Sequence, residues 1–239
     1  GKDLYIGTIN HGIYYSGNKG VDWSHVHVGL PADAYVNSFC FHGNELYAGT
    51  FSGIFRSTDG SNWTEANNGL HFFNMVFALT SHNNIIFAAI MNEVYFTTDN
   101  GDTWKVVESA WPQSTVVSAL ATDGSTLFAG TGESVYTSAD NGTTWNKNKT
   151  GIPAETSVNT FGNTANVILA GTSKGVFLSS DHGTSWQEKN NGLSAINQNT
   201  ILSHGTLLFS GGLQNLYTSS DQGKTWAAKN TGLSGDVNI

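Results

Sequence analysis

Five aspartates, Asp59, Asp99, Asp140, Asp181 and Asp221, each stand two residues after a serine or threonine and four or five before a tryptophan; Asn18 holds that place in a sixth copy. A carboxylate beside a hydroxyl could activate a nucleophile or shuttle a proton. The same spacing suits a turn in which the acid accepts bonds from backbone amides ahead of it while a glycine takes the left-handed conformation. Recurrence favours the turn. A group repeated once per structural unit points in a different direction each time and cannot converge on one substrate, so all six residues are assigned a structural role.

The remaining candidates for chemistry are sparse. Asp33, Glu93, Glu108, Glu133, Glu155 and Asp236 fall at strand connections, and Glu93 and Glu133, from successive units, could approach as a glycosidase pair, which needs two carboxylates about 5–10 Å apart. Solvated loop acids are the competing reading and the favoured one. His25 and His27 alternate along one strand face without an evident third ligand, and His42, His82 and His204 occupy equivalent positions in three units, as turn residues would. Cys40 is the single cysteine, flanked by Phe39 and Phe41, which excludes a disulfide and suits a packed, inert thiol. No phosphate-binding loop, dinucleotide fingerprint or nucleophile triad stands out, and no cofactor or metal is expected.

These residues are positioned by one repeated unit. Trp23, Trp63, Trp104, Trp145, Trp186 and Trp226 recur every 40 or 41 residues. Each follows a copy of one phrase, SGNKGVDW, STDGSNW, TTDNGDTW, SADNGTTW, SSDHGTSW or SSDQGKTW. Ahead of it come two strand-like runs of the LYAGT and GIFRS kind; behind it come a polar strand, Gly-Leu or Gly-Ile, and a run such as YVNSFCF or MVFALT. Four short β segments per unit, cut by Gly, Asn and Asp turns, predict a propeller blade, whose faces are buried only by stacking on neighbouring blades. Six units predict an all-β, six-bladed β-propeller with four antiparallel strands per blade, a single domain over residues 1–239, with each Trp ring buried between sheets. If the YVNSFCF-type run is innermost, the chain begins inside a blade. The terminal DVNI, Asp236 to Ile239, aligns with the YVNS that begins at Tyr35 and is expected to close that shared first blade. It stops short of its counterparts, so the natural chain is expected either to continue past Ile239 or to close with a short strand.

The phrase S-x-D-x-G-x-T-W resembles the Asp box, or BNR repeat, of sialidases, sortilin-type receptors, endo-xyloglucanases and photosystem assembly factors, in six copies over essentially the whole chain. The resemblance implies a hairpin between the third and fourth strands of a blade, on the rim away from the usual ligand face. It also makes sialidase the enzyme to test. Sialidases clamp their substrate carboxylate with three arginines, and Arg56 is the only arginine in this chain, so that activity is excluded.

Propellers bind through the loops joining the fourth strand to the next blade and the second strand to the third, here called the upper rim. Tyr35, Phe51, His71, Phe72, Phe73, Met91 and Trp111 gather in one sector of it; Tyr35, Phe51, His71, Phe72, Met91 and Trp111, with Glu133, are the ligand-binding candidates, suited to stacking on a sugar or anchoring a protein. Plugging the ends of blade interfaces is the competing role for Phe72 and Phe73.

A net charge of −8 without any Lys/Arg cluster argues against nucleic acid and anionic lipid. No apolar run reaches the roughly 18 residues of a bilayer span, and no signal peptide is present at the start. Hydrophobic residues make up 38% and charged residues 12%, leaving a neutral polar surface. The expected function is non-catalytic recognition or scaffolding, with a protein or glycan partner, in a larger extracytoplasmic assembly after loss of a signal peptide. The alternative is a glycoside hydrolase or lyase of non-sialidase type using upper-rim carboxylates.

Overall fold

Strands this short, rich in Val, Ile, Phe and Tyr, gain stability only when both faces of their sheet are covered. The computed structural model describes residues 3–71, 75–108, 115–148, 150–164, 167–212 and 215–231, in which 23 strands and no helix occur. They form antiparallel sheets in chain order, five of four strands and one of three among the described residues, and the fold is a six-bladed β-propeller.

Residues 1–108 form one compact unit and residues 109–239 a second. In the first unit, blade 1 is β1 (Leu4–Gly7), β2 (Ile13–Ser16) and β3 (Ser24–Val26). Blade 2 is β4 (Val36–His42), β5 (Glu45–Thr50), β6 (Gly53–Ser57) and β7 (Thr64–Glu65). Blade 3 is β8 (Val76–His82), β9 (Ile85–Ile90), β10 (Glu93–Thr97) and β11 (Lys105–Val106). The second unit continues with blade 4, β12 (Val117–Thr122), β13 (Leu127–Thr131), β14 (Val135–Ser138) and β15 (Asn146–Lys147). Blade 5 is β16 (Val158–Thr164), β17 (Val167–Thr172), β18 (Gly175–Ser179) and β19 (Gln187–Glu188). Blade 6 is β20 (Gln198–His204), β21 (Leu207–Gly212), β22 (Asn215–Ser219) and β23 (Ala227–Ala228). The closing strand expected at Asp236 to Ile239 lies outside the described residues.

Within each unit the core lies between blades. Ile13, Val26 and Val36 meet Leu46, Phe55 and Trp63 between blades 1 and 2, and Tyr47, Ile54 and Val76 meet Ile86, Tyr95 and Trp104 between blades 2 and 3. In the second unit Phe128, Val158, Phe177 and Trp186 form one such layer, and Leu169, Ile201, Tyr217 and Trp226 the next. A fully buried ring or branched side chain of this size contributes about 1.5–3 kcal/mol. Trp63, Trp104, Trp186 and Trp226 are buried as expected, but Trp145 is half-buried and Trp23 is 38% exposed.

The Gly-Leu landmark after the fourth strand has a steric cause. Gly29, Gly69, Gly151 and Gly192 adopt φ of 84°, 91°, 92° and 93°. In each, the space of a Cβ is filled by the backbone carbonyl of the next blade's Trp: Trp63, Trp104, Trp186 and Trp226 respectively. The Trp amides hydrogen-bond back to Val28, Asn68, Thr150 and Asn191 carbonyls at 2.9–3.2 Å, stitching blade to blade. Only a residue without a side chain allows the two backbones to come this close.

Two expectations about single residues are settled here. Cys40 is buried, and burial pushes its thiol up to about 12, so it packs and does not react. His42, His82 and His204 are not turn residues but the last positions of β4, β8 and β20, the first two buried and His204 exposed; His42 Nδ1 lies 2.8 Å from Ser81 Oγ of the neighbouring blade.

Candidate functional site

The repeated aspartates spend their oxygens on their own turns. The Ser or Thr two residues earlier donates to Oδ1 at 2.6–3.1 Å, and its oxygen accepts the amide of Gly60, Gly101, Gly142, Gly183 or Gly223 at 2.8–3.0 Å. Oδ2 accepts the hydroxyl of Thr103, Thr144, Ser185 or Thr225 at 2.5–2.6 Å; in the shortened second copy Asn62 Nδ2 donates to Asp59 instead, at 2.7 Å. These donors stabilise the carboxylate. The hydroxyls of Thr103 and Thr225, first among them, hold Asp99 and Asp221 at about 2. The backbone amide of Asn62 lowers Asp59, and the hydroxyls of Thr144 and Ser185 lower Asp140 and Asp181. In the first copy the roles are exchanged: Asn18 Nδ2 donates to the Asp22 carboxylate at 2.9 Å while its Oδ1 accepts the Asp22 amide at 2.9 Å. Acids so depressed and so fully bonded make poor proton donors at neutral pH.

Differences between blades therefore carry the information, and one lies at the start of the innermost strands. Each of β4, β8, β12, β16 and β20 has a β-bulge there, which re-aims one side chain. In three blades that side chain reaches the next blade's backbone: Asn37 Nδ2 donates to Val76 O at 2.9 Å, Ser118 Oγ to Val158 O at 2.6 Å, and Asn159 Nδ2 to Gln198 O at 3.0 Å. In blade 3 the bulge residue is Phe77. It cannot donate, and its ring stands edge-on to Phe51, centroids 6.1 Å apart at 68°.

Around Phe77 the upper rim of the first unit becomes an apolar surface. Tyr35 and Phe51 stack almost parallel, centroids 4.1 Å apart at 7°, because the Phe51 amide donates to the Tyr35 carbonyl at 3.1 Å and so extends the β4–β5 ladder by one pair. Phe51 is 38% exposed, and Tyr35 and Phe77 are half-buried. In blade 3 the position matching Phe51 is Met91, half-buried at φ 56° against the blade 2–3 core, and the one matching Tyr35 is Met75. Beside them His71, Glu93 and Tyr95 form a polar knot. The Tyr95 hydroxyl donates to Glu93 Oε2 at 2.6 Å; His71 Nδ1 lies 2.7 Å from that hydroxyl and 3.2 Å from Oε2, so His71 must carry its proton on Nδ1. Burial and the Glu93 bond raise the Tyr95 phenol well above its ordinary value.

The structure thus brings Tyr35 and Phe51 together, ties His71 to Glu93, and places Met91 in the neighbouring turn. Phe72, Phe73, Trp111 and Asp236 lie outside the described residues. Glu133 belongs to the second unit, where Lys147 Nζ is 3.4 Å away. With Lys147, Ile152, Pro153 and Glu155 it lines a cleft of about 480 Å³. Glu93 and Glu133 each have partners within their own unit. Asp123 Oδ2 lies 2.7 Å from His182 Nδ1, but Ser125 Oγ meets that same nitrogen at 3.1 Å, so the two contacts do not form a relay through both ring nitrogens. Among the described residues no group of three or more His, Cys, Asp or Glu is placed to hold a metal.

Phe77, Tyr95 and Met75 were not singled out from sequence. For Phe77 the signal was present: the equivalent residues are Asn37, Ser118, Asn159 and Asn199, and Phe is the outlier.

The model of the DUF6242 β-propeller domain matches residues 4–127, just over half of the chain. The chain belongs to this family. No curated protein matches the sequence of this DUF6242 propeller significantly. Solved structures similar to it include YCF48 bound to a D1 peptide, at 18% identity and a TM-score of 0.71, covering 94% of this chain and 77% of that one. The extracellular domain of the two-component system BT4673 from B. thetaiotaomicron is 15% identical with a TM-score of 0.69, and an ancestral GH74 enzyme is 18% identical with a TM-score of 0.68. The DUF6242 propeller covers 92% and 84% of its own length in these two matches but spans only 37% and 32% of theirs. At such identities the likeness is one of fold.

Proposed function

We propose that this chain is a non-catalytic recognition or scaffold propeller that binds a protein or glycan partner through the upper rim of blades 2 and 3, in an extracytoplasmic assembly. The observation that carries this reading is the exposed Phe51 ring, stacked on Tyr35 and extended by Phe77 at the bulge position where blades 2, 4 and 5 place an inter-blade hydrogen bond. A solvent-facing aromatic surface at a place where a polar residue would serve the fold is best accounted for by a partner. Two structural relatives support the compartment and the mode: BT4673 contributes an extracellular domain, and YCF48 was captured with a peptide. The resemblance of the repeated turns to the Asp box fits their role as blade-forming hairpins.

A photo-crosslinking residue at Ser52, beside Phe51, tests this in the producing cell. A specific adduct, protein or glycan, is expected at Ser52 and not at Ser61, exposed in the turn at the other end of β6 in the same blade; no adduct, or equal adducts at both, would count against the reading.

A second reading, a glycoside hydrolase, draws on Glu133 and Glu155 sharing one cleft and on the GH74 relative. It requires turnover of a polysaccharide that Glu133→Gln abolishes.

A further inference from the structure

We propose that the partner at this rim is an extended polypeptide segment in which an aromatic side chain is followed by lysine or arginine. This rests on the recognition reading above and narrows it to one class of ligand.

The apolar half of the site favours a side chain over a sugar. Tyr35 and Phe51 already stack on one another, and Phe77 meets Phe51 edge-on, so three rings form a ridge and not an isolated platform. The chain contains two methionines, and both belong to this rim: Met91 is the blade 3 counterpart of Phe51, and Met75, one step beyond the Val76–Ile90 pair, is the counterpart of Tyr35. Methionine is flexible and polarisable, and a ridge of rings continued by thioethers adapts to an inserted aromatic ring. The Tyr95 hydroxyl and His71 Nδ1 are committed to each other and to Glu93 Oε2.

The charged half favours a cation. Asp33 is exposed in the loop before Tyr35, and Glu93 turns its second oxygen, Oε1, to no donor among the described residues. The basic residues described in this unit sit elsewhere. Arg56 is ion-paired with Asp102 at 2.8 Å and bonds the Asn100 carbonyl at 2.7 Å in the opposite set of turns, Lys19 lies in the first Asp-type turn, and Lys105 is on β11. An ammonium or guanidinium one residue from an inserted ring would meet Glu93 or Asp33 without a competing positive charge. On a chain of net charge −8, long-range attraction acts in the same sense.

The two methionines also supply the probe. In protein labelled with [13C-methyl]methionine the spectrum holds two methyl signals, assigned by Met91→Leu. Titration with the synthetic peptide Gly-Ser-Phe-Lys-Phe-Lys-Gly-Ser is expected to shift both, saturably, with weakening at raised salt. Replacing both Phe by Ser should abolish the shift, and replacing both Lys by Glu should weaken binding about tenfold or more. Phe51→Ser in the protein should cost a similar factor, and Glu93→Gln should reduce the preference for Lys over Glu; unchanged dispersion of the methyl signals certifies that each variant is folded. If cello- or xylo-oligosaccharides shift the methyls and the peptides do not, the polypeptide assignment falls while the rim remains a recognition surface. If neither moves them and Ser52 yields no adduct, both readings fall.

Discussion

At the scale of single residues, what a carboxylate does here follows from the donors around it. Asp221 is bonded through Oδ1 to Ser219 Oγ and the Thr225 amide and through Oδ2 to the Thr225 hydroxyl, so it has been converted from a potential acid into a fixed acceptor. Removing it leaves those donors to water at a turn tip. Asp221→Ala is expected to lower the melting temperature by about 2–4 °C, the shift that a loss on the order of 1 kcal/mol produces in a domain of this size, with binding at the upper rim unchanged. Calorimetry and the methyl titration together check it; a loss of binding without loss of stability would return the turn to the functional column. The exchange of Asp for Asn18 and of Thr for Asp22 in the first copy shows the same logic from the other side, because the bond survives with donor and acceptor swapped.

At the scale of elements, blades are joined by backbone contacts that tolerate little added volume. Gly151 lies at φ 92° with the Trp186 carbonyl where its Cβ would be. Gly151→Ala must both adopt an unfavourable conformation and push the next blade outward, and it is expected to destabilise the protein by more than about 1 kcal/mol in denaturant unfolding, exceeding the effect of Gly205→Ala, where φ is 60° but the space is open. Equal losses at the two sites would mean that backbone strain alone, without the inter-blade contact, sets the cost. The strands themselves were legible because period-two patterning and Gly, Asn and Asp turns are local properties. The bulges at Asn37, Phe77, Ser118 and Asn159 were not, since a bulge is defined by the partner strand, and the inter-blade bonds made from them join residues about 40 apart in the chain.

At the scale of the whole molecule, five repeated carboxylates titrate in the same direction. Each is lowered in the folded protein, so each contributes stability that is fully present above the ordinary aspartate value near 3.8 and is lost as pH falls through the folded value, about 2 for Asp99 and Asp221. Thermal stability should therefore hold level from pH 7 to about 5 and decline steadily below pH 4, and Asp221→Ala should flatten part of that decline; a melting temperature independent of pH between 5 and 2 would contradict the assignment. The sequence by itself determined the number of blades, the strand order within each and the place of the six repeated turns, because a repeat writes the same local physics six times and the copies check one another. Tertiary structure decided which of the candidates lie together. Tyr35, Phe51 and Phe77 come from two blades, and His71, Glu93 and Tyr95 from separate segments of one. Their meeting depends on the bulge and on sheet packing, which arise from contacts distant in the chain and leave no local pattern to read.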